Sequence, residues 1–138
     1  MKTIRFILAG AILIAFSSFT NAPKTNDALI GTWIYSDSED EAMSYKKVQS
    51  FKEDEGGIAF QSGGKLIKRQ NVGWCGTPPI QYGNNDGTWK QTSDSTITIS
   101  YAYWGGNVEE DWLIVQVSDK KMTIKQLGYR NDYKHLRD

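Results

Sequence analysis

Ser95-Thr96-Ile97-Thr98-Ile99-Ser100-Tyr101-Ala102-Tyr103-Trp104 is the stretch on which the fold turns. Ile97, Ile99, Tyr101 and Tyr103 share one face of an extended chain, and Thr96, Thr98, Ser100 and Ala102 share the other. A period of two is the signature of a β-strand.

The segments on either side repeat the pattern. After a tight Gly105-Gly106-Asn107 turn, Glu110 to Val117 carries Leu113, Val115 and Val117 on one face and Trp112 and Ile114 on the other, so both faces are expected to be covered. Ser118 to Lys121 turns, and Met122 to Leu127 forms the last expected strand. Gly128 to Asp138 reads as a polar tail in which Tyr129, Tyr133 and Leu136 could dock. In the other direction, Thr92 to Asp94 turns and Gly87 to Gln91 is a strand carrying Trp89. Asn84-Asn85-Asp86-Gly87 is a strong turn signal.

Between Asn71 and Trp89 the pattern breaks. Pro78 and Pro79 donate no backbone hydrogen bond and cannot sit inside a central strand. Cys75 to Asp86 is therefore expected to be an ordered loop. An irregular connection of that length is uncommon in a compact domain and often functional. Trp74, Tyr82 and Trp89 carry large apolar surfaces that favour burial or contact with a partner. Such a loop either closes one end of a barrel or serves as a lid over a ligand.

Nearer the N-terminus, Leu29 to Ser36 reads as a strand with Leu29, Gly31, Trp33 and Tyr35 on one face. Asp37 to Ser44 is acidic, either a helical turn or an open loop. Tyr45 to Lys52 resumes strand character, and the spacing of Val48 and Phe51 suggests a bulge. Ile58 to Phe60 and Lys65 to Gln70 complete eight short strands, and no long window has helical periodicity. The expected class is all-β: an eight-stranded up-and-down antiparallel barrel, which disposes of its edges by closing on itself. A β-sandwich is the alternative.

Residues 1–22 have the layout of a secretory signal peptide: Lys2 and Arg5, then an apolar run from Phe6 to Phe16, then small residues to Ala22. The run is short for a membrane-spanning helix. Residues 23–138 are then a single exported domain, secreted or periplasmic. The full chain has 16 Lys+Arg and 16 Asp+Glu, so losing Lys2 and Arg5 leaves a net charge of −2. No basic field is available for a nucleic-acid backbone. The acidic runs Asp37 to Glu41, Glu53 to Glu55 and Glu109 to Asp111 are expected on turns and solvated strand ends, and none has the ligand spacing of a calcium loop. One Cys permits no internal disulfide. Cys75 is expected to be a small buried hydrophobe, with an intermolecular disulfide or reactive thiol as the alternative. The only His, His135, lies in the charged tail, far in sequence from Cys75.

Gly31-Thr32-Trp33 resembles the Gly-x-Trp opening of lipocalins, and Gly87-Thr88-Trp89 repeats it near mid-chain. With the closing strand pair, the mature chain resembles small exported bacterial lipocalin-like domains. The resemblance implies a barrel with a ligand cup, and it casts Arg130 as the arginine that packs on the first-strand Trp. The helix that follows a lipocalin barrel and the Thr-Asp-Tyr turn have no counterpart here.

The expected function is non-catalytic binding of a small hydrophobic ligand. Its candidate contacts are Trp33, Trp74, Tyr82, Trp89, Tyr101, Tyr103 and Trp104. The alternative is an interaction module that presents Tyr101, Tyr103 and Trp104 to carbohydrate or protein. No zinc, phosphate or dinucleotide signature is present, and neither enzyme activity nor a cofactor nor a metal is expected.

Overall fold

In the computed structural model, the alternating stretch forms one of eight strands that close into an antiparallel barrel. The structure describes residues 25–73, 78–103 and 105–133. The expected leader, Trp74, Cys75, Trp104 and His135 lie outside them. The elements are a short helix α1 (Thr25–Leu29) and strands β1 (Gly31–Glu39), β2 (Ala42–Val48), β3 (Gly57–Phe60), β4 (Lys65–Asn71), β5 (Tyr82–Gln91), β6 (Thr96–Tyr103), β7 (Gly106–Val117) and β8 (Lys121–Tyr133).

Around the wall the order is β1-β2-β8-β7-β6-β5-β4-β3. Every link joins neighbouring strands except the one between β2 and β3, because β1 lies between them. That link, residues 49–56, must cross β1. Phe51 lies close to Gly57, where an added Cβ would stand 2.9 Å from the Phe51 ring, 3.1 Å from the Ile34 Cα and 2.2 Å from the Trp33 carbonyl oxygen. Only glycine fits so close a backbone approach. The crossing also explains why Ile34, which points away from the interior, is only 5% exposed. Arg69 of β4 pins the link by donating from Nε to the Glu55 carbonyl and from Nη2 to the Glu53 carbonyl, each at 3.0 Å.

One half of the barrel is filled. Trp33, Ile58, Phe60, Leu66, Trp89, Ile97, Ile99, Trp112, Ile114, Met122 and Ile124 pack there, and Leu29 of α1 closes that end. The Trp33 indole N–H donates to the Leu29 carbonyl at 2.7 Å, which ties the helix to β1. Phe60 meets both Trp89 and Trp112 edge-on, at centroid distances of 5.4 and 6.4 Å.

Several local expectations are corrected. Residues 37–44 are neither a helical turn nor an open loop. β1 runs to Glu39, and Asp40 and Glu41 make a two-residue hairpin turn with positive φ (46° and 67°). Such turns match the twist of the flanking strands. Asn84 to Gly87 does not turn: it lies within β5, paired with Arg69 to Leu66. β2 ends at Val48 without the expected bulge, while register shifts occur in β1 between Tyr35 and Asp37 and at two places in β7. Residues 128–133 form ladder with β7 rather than a tail. Val115 is 53% exposed, so the outer face of β7 is not covered. The shift between Ile114 and Gln116 changes the register there. Residues 25–29 are helical rather than a loose lead-in and the start of a strand.

Candidate functional site

The other half of the barrel holds a polar cup. Cross-strand partners share a face, so residues paired with core residues point inward. Lys68 pairs with Ile58 and with Asn85, Glu110 pairs with Ile99, and Tyr45 pairs with Met122. Strands β2, β4, β5 and β7 therefore turn Tyr45, Lys68, Asn85 and Glu110 into the interior. A cavity of about 560 Å³ is lined by Met43, Tyr45, Lys68, Glu110, Trp112 and Gln126, among others. A second, of about 700 Å³, is lined by Tyr35, Tyr45, Lys68, Gln70, Tyr82 and Tyr101, among others. Tyr45 and Lys68 belong to both.

Glu110 organises the cup floor. It is 8% exposed. Its Oε1 accepts from the Tyr101 hydroxyl at 2.7 Å, and its Oε2 accepts from the Trp112 indole N–H at 2.7 Å. Buried carboxylates persist when their oxygens are bonded in this way. Lys68 Nζ stands over the rings of Tyr101 and Trp112, at 5.7 and 6.0 Å from their centroids. None of the ion pairs among the described residues includes Lys68. Burial pushes the Lys68 ammonium below its usual range, and the Glu110 charge offsets part of that. Tyr45 stacks on Trp112 at 6.0 Å with an interplanar angle of 29°. Across from Lys68, Asn85 Nδ2 is the one buried side-chain polar atom among the described residues without a hydrogen-bond partner.

Tyr45 and Tyr101 are both held neutral. Burial is the main cause in each, followed for Tyr101 by its hydrogen bond to Glu110 and for Tyr45 by the Glu110 charge. Both phenols are raised above the ordinary value of 10.0. Their contribution to stability is fully present below that value and is lost as pH rises from it toward the raised folded values. Lys68, shifted the other way, opposes this with a penalty that alkali relieves as the ammonium loses its proton below 10.5. Urea midpoints should fall as pH rises beyond ~10, where the phenols begin to titrate in the unfolded chain. Tyr101→Phe should flatten that fall; a limb that the variant leaves unchanged would assign it elsewhere.

The sequence-derived contacts separate into groups. Trp33 and Trp89 belong to the filled half. The Trp89 indole N–H donates to the Gln61 carbonyl at 3.0 Å, and neither ring lines the two cup cavities. Tyr82 and Tyr101 line the larger cavity. Tyr103 is half-buried, with its hydroxyl donating to Asn131 Oδ1 at 2.9 Å. Trp74 and Trp104 lie outside the described residues. Arg130 is not on Trp33. It faces outward and bridges Glu109 and Asp111, with N···O distances of 2.6 Å to each. Its guanidinium and the Thr98 hydroxyl hold the Asp111 carboxyl down at about 2. Lys47 stands over Trp33 instead, 5.0 Å from the ring centroid.

Sequence reasoning missed Lys68, Asn85 and Glu110 because each carries a surface or turn residue type. The signal was parity: Lys68 stands two residues from Leu66, Glu110 two from Trp112, and Asn85 four from Trp89. The placement of Glu109 to Asp111 on a solvated strand end fails for Glu110, which the strand alternation turns inward.

Among the described residues, no cluster of His, Cys, Asp and Glu could hold a metal ion, and no helix is long and apolar enough to cross a membrane. Compared with family models, curated proteins and solved structures, the chain gives no significant match.

Proposed function

We propose that the protein is an exported, non-catalytic binding protein that takes one small molecule into the open half of its barrel. The observation that carries this reading is the contrast between the two halves. Packed aromatic and aliphatic side chains fill one, while the other holds cavities of about 560 and 700 Å³ joined at Tyr45 and Lys68. Volumes of this order are those of small-molecule pockets, and eight strands enclose about that much space. The Glu110 carboxylate, with both oxygens held as acceptors, favours a structural over a general-base role. The restraint on Tyr103 weighs against an exposed aromatic platform.

Titration with fatty-acyl, tetrapyrrole and retinoid compounds tests the reading. A ligand entering the cup should perturb Trp112 emission saturably. Met43→Trp, which fills the smaller cavity, should abolish the response. If no compound perturbs emission saturably, the cup is not a binding site; if Met43→Trp binds as well as the parent, the smaller cavity is not the site.

A further inference from the structure

The chemistry of the cup floor is unbalanced, and the imbalance specifies a ligand. Lys68 and Asn85 are direct cross-strand partners on the inner wall. Residues so placed have Cβ atoms about 5 Å apart, close enough for both side chains to reach one group. Among the described residues, Asn85 lacks an acceptor, and Lys68 lacks an ion-pair partner. The Lys68 ammonium has ring faces beside it and no ion pair among the described residues. Asn85 Nδ2 is buried with no acceptor. The buried carboxylate serves neither: it accepts from Tyr101 and Trp112, forms no ion pair with Lys68 and leaves Asn85 Nδ2 without a partner. A buried donor left unpaired is costly, so a surplus of donors favours an occupant that brings acceptors. A cation would meet an ammonium and an acid already committed elsewhere. A neutral apolar molecule would leave both donors unmatched. Beside them, Met43 and the stacked Tyr45 and Trp112 offer an apolar wall.

We propose that the cup selects a small molecule with a carboxylate, which Lys68 binds, and an apolar body that lies against Met43, Tyr45 and Trp112. The inference rests on the cup reading above and adds to it the charge and the anchor of the ligand. A carboxylate suits Lys68 because it gives the ammonium the charge-assisted bond and the ion pair it lacks.

Decanoate, decanol and decylamine share one tail and differ in the head group, so the series separates the two proposals. Isothermal titration at neutral pH should rank decanoate at least about tenfold tighter than decanol, with decylamine weakest. Lys68→Met should remove that preference, so that decanoate binds no tighter than decanol, while Lys68→Arg should keep most of it. Lys68→Met replaces a cup ammonium with an apolar chain of similar length, and far-ultraviolet circular dichroism verifies that it folds. The pH profile is an independent readout. Because burial lowers the Lys68 ammonium from 10.5, decanoate affinity should fall as pH rises through that depressed value, and decanol affinity should not. Equal affinities across the series would leave a cup and overturn the carboxylate. Tighter decylamine would overturn it in favour of Glu110. A preference for decanoate that survives Lys68→Met would overturn Lys68 as the anchor. Saturable binding by none of the three would remove the cup, and this inference with it.

Discussion

Trp33→Ala should lower the free energy of unfolding by about 3–5 kcal/mol, read as the shift in urea midpoint at constant slope. That is a large share of the stability of a small domain, and the variant should be partly unfolded at physiological temperature. Trp33 is fully buried at the joint of three pieces of structure. It sits on β1 between β2 and β3, its N–H fastens α1, and Lys47 covers its face. Truncation opens a void the size of an indole and also releases the helix that plugs the end. Trp33→Phe should recover most of the packing and lose about 1 kcal/mol for the hydrogen bond. Lys47→Ala should cost less than either, because a partly exposed cation over a ring contributes about 0.5–1 kcal/mol. A loss under about 1 kcal/mol for Trp33→Ala would mean that the closed end is held by other contacts.

Two kinds of information in the sequence had different fates. Alternation located β6 almost to the residue, because its inner positions are uniformly apolar and its turns are short. Residue type misled where tertiary pairing overrode it. Asn84-Asn85-Asp86-Gly87 has every mark of a turn, yet β4 on one side and, at Gly87, β6 on the other hold it extended. Gly87 has a separate reason to be glycine: a Cβ there would stand 2.2 Å from the Ser100 carbonyl oxygen. Gly128 marks no strand end. It pairs with Asp111 beside a register shift, and β8 continues to Tyr133. The place of β1 between β2 and β3 had no sequence signal at all. It is a property of which edges meet when the wall closes, and alternation is blind to neighbours.

Of the described residues in the aromatic inventory, Tyr82 and Tyr101 line the larger cavity, while Trp33 and Trp89 line neither. Trp33 and Trp89 gain more from dry packing than from a half-open cavity, so they fill the closed end. What remains open is lined largely by groups that tolerate water, phenols, amides, an ammonium and a carboxylate, beside the apolar Met43 and Trp112. The distribution follows from burial energetics, and it puts along the cup polar residues that hydrophobicity alone passes over.

Glu110→Leu should be the most damaging single change in the cup, at about 3 kcal/mol or more in urea unfolding. The carboxylate is the acceptor for the Tyr101 hydroxyl and the Trp112 indole N–H, and it is the charge that offsets the burial of Lys68. Removing it strands two donors and leaves the ammonium uncompensated among apolar walls. Lys68→Met should behave in the opposite way, neutral or mildly stabilising, because it removes a costly cation and leaves both bonds to Glu110 intact. In the Glu110→Leu background the same Lys68→Met change should recover stability, with a coupling of about 1–3 kcal/mol between the two sites. The sign of that coupling carries the argument. If Lys68 were an ordinary solvated surface lysine, the two changes would add, and the double variant would be no more stable than Glu110→Leu alone. Recovery in the double variant requires that the ammonium be held inside the barrel at an energetic cost the fold tolerates, which is the condition a ligand anchor has to meet.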